Sequence, residues 1–126
     1  MGRKKRVILI GLNPWEVDYS NWPDLTPERV MADFKADEAT LNSLGYDVQS
    51  CLVDPDETAE TVVTQKLIET AFDCLMIGAG VRTIPDQFFL FEKLINIVHK
   101  HAPTSRICFN TKPSDTTVAV QRWVQP

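Results

Sequence analysis

Three short stretches of the chain combine glycine, amide and cationic residues in a way that suits anion binding: Gly11-Leu12-Asn13, Gly78-Ala79-Gly80-Val81-Arg82 and Asn110-Thr111-Lys112. Glycine lets the backbone turn sharply or come close to a ligand. Arg82 and Lys112 bring positive charge, and Asn13 and Asn110 bring amides that orient a bound group. Brought to one place, Arg82 and Lys112 would hold a phosphate or carboxylate, backbone N–H groups around Gly78 and Gly80 would line it, and Asn13 or Asn110 would orient it. The alternative is structural: the glycines end a strand, and the two cations are solvated or paired with Asp86 and Asp115. A further feature is the polar stretch 13–27, which carries Trp15, Tyr19 and Trp22 among Glu16, Asp18 and Asp24. Such aromatics stack on a ligand and close over it, or bury themselves against a neighbouring element. Asp18 is the carboxylate to test first as a general base.

Other chemistries lack their residues. Gly78-Ala79-Gly80 opens like a dinucleotide fingerprint, but Thr83 stands where the third glycine belongs. No G-x-x-x-x-G-K-[ST] phosphate loop and no G-x-S-x-G elbow occurs. His99 and His101 are two apart, so on a helix they face different ways, and their expected role is to interact with the helix C-terminus. Cys51, Cys74 and Cys108 sit singly within apolar stretches, odd in number and without metal-ligand spacing. They read as buried reduced thiols, so neither a metal nor a cofactor is expected and the expected compartment is the cytoplasm.

The elements that would position these residues follow from the hydrophobic pattern. Four short apolar runs, 6–12 (RVILIGL), 47–53 (DVQSCLV), 73–79 (DCLMIGA) and 106–110 (RICFN), suit strands covered on both faces. Between them lie helical patterns. In 27–44, Val30, Phe34, Leu41 and Leu44 trace one stripe, which Asp37 and Glu38 interrupt; Thr26 is placed to cap it, Pro27 to begin it and Gly45 to close it. A second helix is expected over 58–72 with Val62, Val63, Leu67 and Ile68 toward the core. A third is expected over 85–101, stopped by Pro103, with its dipole adding to the anion site. A last one begins after Ser114 and packs through Ala119, Val120, Trp123 and Val124.

Strand-helix repeated four times predicts a parallel sheet with right-handed crossovers. The expected fold is α/β, a three-layer sandwich whose four-stranded parallel sheet has the order 2-1-3-4 with helices on both faces. In such a sheet ligands meet the carboxyl ends of the strands where strand order reverses, here between the first and third strands. The third helix is apolar nearly all round over 88–98, which predicts a second buried face: a homodimer through this helix, or cover from the 13–27 loop.

The chain has 126 residues, 44% hydrophobic and 24% charged, which bounds it to one globular domain over 1–126 with a basic tail at 1–5. No apolar run is long enough to span a bilayer, so no membrane association is expected. The net charge is −4, yet Arg3, Lys4, Lys5 and Arg6 hold four of the 13 basic residues, leaving an acidic body of nine basic against 17 acidic side chains. That body repels polyphosphate, so no nucleic-acid partner is expected. The tail reads as a solvated lead-in rather than a nucleic-acid or lipid contact.

The pattern of strands resembles the flavodoxin-like and Rossmann-like group. Within it, Leu44-Gly45-Tyr46-Asp47-Val48, Asp73-Cys74-Leu75-Met76-Ile77 and Lys112-Pro113 resemble response-regulator receiver domains. Receivers carry an acidic pair after the first strand, where this chain has Gly11-Leu12-Asn13, and their phosphoacceptor aspartate aligns near Gly78. The resemblance therefore implies a receiver-like protein-interaction module without phosphorylation. Over its full length the chain also looks similar to small bacterial proteins of no assigned activity, which transfers no mechanism.

Overall fold

The structure is a computed structural model describing residues 3–126; Met1 and Gly2 of the basic tail lie outside the described residues. Strands β1 (Arg6–Leu12), β2 (Asp47–Val53), β3 (Cys74–Ile77) and β4 (Arg106–Phe109) form one parallel sheet in the order β2-β1-β3-β4. This is the expected architecture. The two central strands explain the continuous apolar runs: every residue from Val7 to Leu12 and from Cys74 to Ile77 is buried, because side chains alternate between two covered faces.

Helices α1 (Pro27–Ser43) and α5 (Thr116–Gln121) cover the face of Val7, Leu9, Cys74 and Met76, through Leu41, Ala119 and Val120. Helices α2 (Thr58–Glu69) and α4 (Phe88–His101) cover the face of Ile8, Ile10, Leu75 and Ile77, through Ala59, Val63, Leu67, Leu94 and Val98. The ends of α1 follow their caps. Thr26 Oγ1 accepts the Arg29 N–H at 3.1 Å, Pro27 fills the first turn, and Gly45 takes φ +102° to turn the chain. Tyr46 behind it is fully buried and donates its hydroxyl to the Val124 carbonyl at 2.7 Å.

Several inward assignments fail, for reasons of helical phase. The buried residues Ala59, Val63 and Leu67 of α2 are four apart, so Val62 and Ile68 lie about 100° off that stripe and are exposed. Leu44 and Trp123 lie beyond the last turns of α1 and α5 and are exposed as well. The helix expected over 85–101 is shorter. Residues 79–83 form a one-turn helix α3 (Ala79–Thr83), a 3-10 turn spans Pro85–Gln87, and α4 starts at Phe88. The dipole expected at the Gly78–Gly80 turn is therefore not that of a long helix. Most of the apolar girth of α4 is covered within the chain, since Leu90, Phe91, Ile95 and Ile97 pack against the same core as Leu94 and Val98. What projects is Phe88 and Phe89, 57% and 71% exposed and edge to face with ring centroids 5.4 Å apart.

The lead-in to β1 is less free than the composition suggests. Arg3 donates to both Asp73 oxygens, at 2.7 and 3.2 Å, and the Arg6 N–H donates to Asp73 Oδ2 at 2.8 Å. The Arg3 guanidinium holds the Asp73 carboxyl below the ordinary carboxylate range; burial opposes this, and the Arg6 N–H adds to it. A depressed native pKa gives stability that is full above the unfolded value and is lost as pH falls through the native one. Asp73→Asn should therefore cost about 1 kcal/mol near neutral pH, mostly through the Arg6 N–H because Arg3 is solvent-screened. Urea denaturation of both proteins should show that gap closing in acid; a gap that persists in acid would mean the carboxylate charge is not its source. No helix among the described residues is long and apolar enough to cross a membrane.

Candidate functional site

The carboxyl ends of β1 and β3 open onto a cavity of about 340 Å³, at the point where strand order reverses. Its floor is Gly11, Leu12, Met76 and Gly78. Two glycines make that floor possible. A Cβ on Gly11 would overlap the ring of Phe34, and one on Gly78 would lie 3.3 Å from the Ile10 carbonyl that accepts the Gly78 N–H. One wall is the inward side of α1, with Val30, Phe34 and Asp37, and the opposite wall is Gly80, Thr83 and Ile84. Residues 110–113 close the rim beside β4.

The roof is the aromatic loop. Val17, Tyr19, Trp22 and Leu25 all face the cavity, held by bonds within the loop itself. The Tyr19 hydroxyl donates to the Pro14 carbonyl at 2.7 Å, the Trp22 N–H to the Tyr19 carbonyl at 2.8 Å and the Leu25 N–H to the Trp22 carbonyl at 3.0 Å. The loop thus lies over the strand ends, and its Val17 also packs against the core that Leu94 and Val98 of α4 join. Trp15 does not line the cavity and is 54% exposed.

Of the residues singled out by sequence, Gly78, Gly80, Asn110 and Lys112 line this cavity together. Arg82, Asn13 and Asp18 do not. Arg82 Nε donates to the Ile77 carbonyl at 3.1 Å, its Nη2 to the Asn110 carbonyl and to Asn110 Oδ1 at 3.3 Å, and its guanidinium lies 5.1 Å from the centre of the Phe109 ring. It ties the end of β3 to the end of β4, off the cavity lining. Burial pushes its pKa down and the nearby Asp115 charge pushes it back up. Asn13 Nδ2 donates to Asp54 Oδ1 at 2.9 Å, and its Oδ1 accepts the Trp15 N–H at 3.1 Å, which fixes the turn leaving β1. Asp18 is exposed and accepts the Ser20 N–H at 2.9 Å, a bond that lowers its pKa. An exposed carboxylate held ionised by its own turn is a poor general base.

Sequence reasoning missed Asp37. With Val30, Phe34 and Leu41 it steps by four, three and four along α1, so the acidic residue falls on the inward stripe rather than beside it. It is half-buried, and its pKa is pushed up to about 6: burial raises it most, a Thr116 hydrogen bond lowers it, and Asp33 and Asp115 raise it again. Asp115 in turn accepts from the Thr111 N–H and hydroxyl and from the Lys112 N–H, bonds that outweigh burial and keep its carboxyl below the ordinary range. The rim loop is thereby shaped, with Lys112, an exposed residue, on the cavity lining.

The chain matches no protein-family model and no curated protein. Among solved structures it is similar to a CMP N-glycosidase of Clostridium botulinum, with 12% identity and a TM-score of 0.46 over 95% of this chain and 100% of that one.

Proposed function

We propose that the chain binds a small anionic molecule, bearing one carboxylate or phosphate group, in the cavity at the carboxyl ends of the strands. The observation that carries this reading is the cavity itself, about 340 Å³ and roofed by aromatic residues, which falls at the lower end of the roughly 300–1,000 Å³ typical of small-molecule sites. Lys112 is the one cation on its lining among the described residues. With Arg82 bonded to carbonyls and off the lining, a single ammonium suits a singly charged group better than a polyphosphate, and Asp37 on the same lining repels excess negative charge. The ring systems of Tyr19, Trp22 and Phe34 favour a flat or apolar body on the ligand.

Thermal-shift measurements with carboxylates, phosphate monoesters and their neutral analogues test this. Anionic ring compounds should stabilise the wild type, and Lys112→Ala should weaken their binding about tenfold, the value of one charge-assisted bond. A second reading, a non-catalytic protein-interaction module, is favoured by the exposed Phe88–Phe89 pair. Stabilisation by no compound, or equal stabilisation of wild type and Lys112→Ala, removes the anion reading and leaves the module.

A further inference from the structure

We propose that Asp37 is the specificity-determining group of this cavity, accepting hydrogen bonds from an amino or ring N–H of a planar nitrogen heterocycle, and that Asn110 and Thr116 are the residues that position it. The inference rests on the reading of the cavity as a ligand site and adds which ligands it selects.

Three observations converge on Asp37. The first is its place. It stands on an otherwise apolar wall with Val30 and Phe34, and takes part in no salt bridge or helix cap among the described residues. A carboxyl on such a wall is costly unless donors meet it.

The second is a directed pair of hydrogen bonds, Arg82 to Asn110 and Asn110 to Thr116, that ends beside it. Asn110 and Thr116, 5% and 0% exposed, are the buried polar side chains of the core. Arg82 has only donors, so its bond to Asn110 Oδ1 fixes which way the amide points. Asn110 Nδ2 must then donate, and it does, to Thr116 Oγ1 at 2.9 Å. The Thr116 hydroxyl keeps its own proton to donate, and its nearness to the Asp37 carboxylate lowers that group's pKa. In this proposal the carboxylate takes that hydrogen bond on one side and offers its remaining lone pairs to the cavity.

The third is the surrounding charge. Asp33 on α1 and Asp115 at the start of α5 both raise the Asp37 pKa, and Lys112 and Tyr19 stand on the same lining. The field at Asp37 is negative, so an anionic group is driven toward Lys112 and a hydrogen-bond donor toward Asp37. Rings of Phe34, Tyr19 and Trp22 line the space and suit a flat ligand body. A heterocycle with an amino or ring N–H at one edge and a carboxylate or phosphate at another fits all three.

Calorimetric titration of the full chain with 2-aminopyrimidine-5-carboxylate and with pyrimidine-5-carboxylate tests the inference, because the two probes share ring and charge and differ in the donor. Near pH 7.5 the amino compound should bind about tenfold more tightly, the preference that charge-assisted bonds give. As pH falls through about 6 the carboxylate takes up its proton, and near pH 5 the two probes should bind within about twofold of each other. Asp37→Asn should show that small ratio already near pH 7.5. Thr116→Val should move the loss of preference to higher pH, because it removes the bond that holds the pKa down, and Thr116→Ser should restore it; a merely structural threonine would leave that midpoint in place. If Asp37→Asn does not fold, the pH dependence of the wild type decides alone. Equal binding of the two probes by wild type overturns the role of Asp37 while the cavity reading stands. Binding of neither overturns both.

Discussion

Asn110→Ala should lose about 2 kcal/mol of folding stability, more than its single side chain suggests, because two other groups are left short of partners. Arg82 loses the Oδ1 acceptor and keeps only carbonyls, and Thr116, fully buried, loses the donor that fixes its hydroxyl. Thr116 cannot turn to water. A buried polar group without a partner costs roughly 1–3 kcal/mol, whereas deleting both partners of a pair costs far less. The double variant Asn110→Ala with Thr116→Val should therefore lose less than the sum of its single changes. Urea denaturation curves of the three proteins measure this. Additive losses would show that the amide and the hydroxyl do not depend on one another, and the chain of bonds behind Asp37 would lose its middle link.

Gly11→Ala should act on the cavity directly. The new Cβ would fall inside the present position of the Phe34 ring, so the ring must swing, and the open volume beside it is the cavity it already lines. Overpacking of this kind costs about 1–3 kcal/mol. The larger effect should be on binding: a ring turned into a space of about 340 Å³ takes the room of the ligand's own ring, and affinity should fall more than about tenfold. Adding Phe34→Leu returns the space and should recover much of the affinity. Full binding by Gly11→Ala would mean that the ligand does not lie against Phe34.

The sheet was legible because its central strands leave no exposed residue to break their apolar runs: Val7–Leu12 and Cys74–Ile77 are buried throughout. Parallel pairing followed from four strand-helix units, and Thr26, Pro27 and Gly45 marked the ends of α1 through local backbone chemistry alone. What sequence could not supply was the partner of a polar side chain. Arg82 reads as a free cation until the fold brings the carbonyls of Ile77 and Asn110 to it. Asn13 reads as a ligand for the same reason, although Asp54 at the end of the neighbouring strand claims it. Gly78 and Gly80 look like a loop because two glycines disfavour a helix, yet the turn of α3 forms there under tertiary packing, with Val81 buried beneath it. Asp37 was readable. An acidic residue in step with Val30, Phe34 and Leu41 is an anomaly on a core-facing stripe, and such anomalies gather at sites where the fold serves something other than its own stability.

A crystal structure of the chain with 2-aminopyrimidine-5-carboxylate tests the account most directly. Density for the probe should lie beneath Trp22, with the amino group against Asp37 and the carboxylate toward Lys112. Density elsewhere on the molecule, or a cavity still empty under saturating probe, would contradict the claim that this space is where the protein meets its ligand.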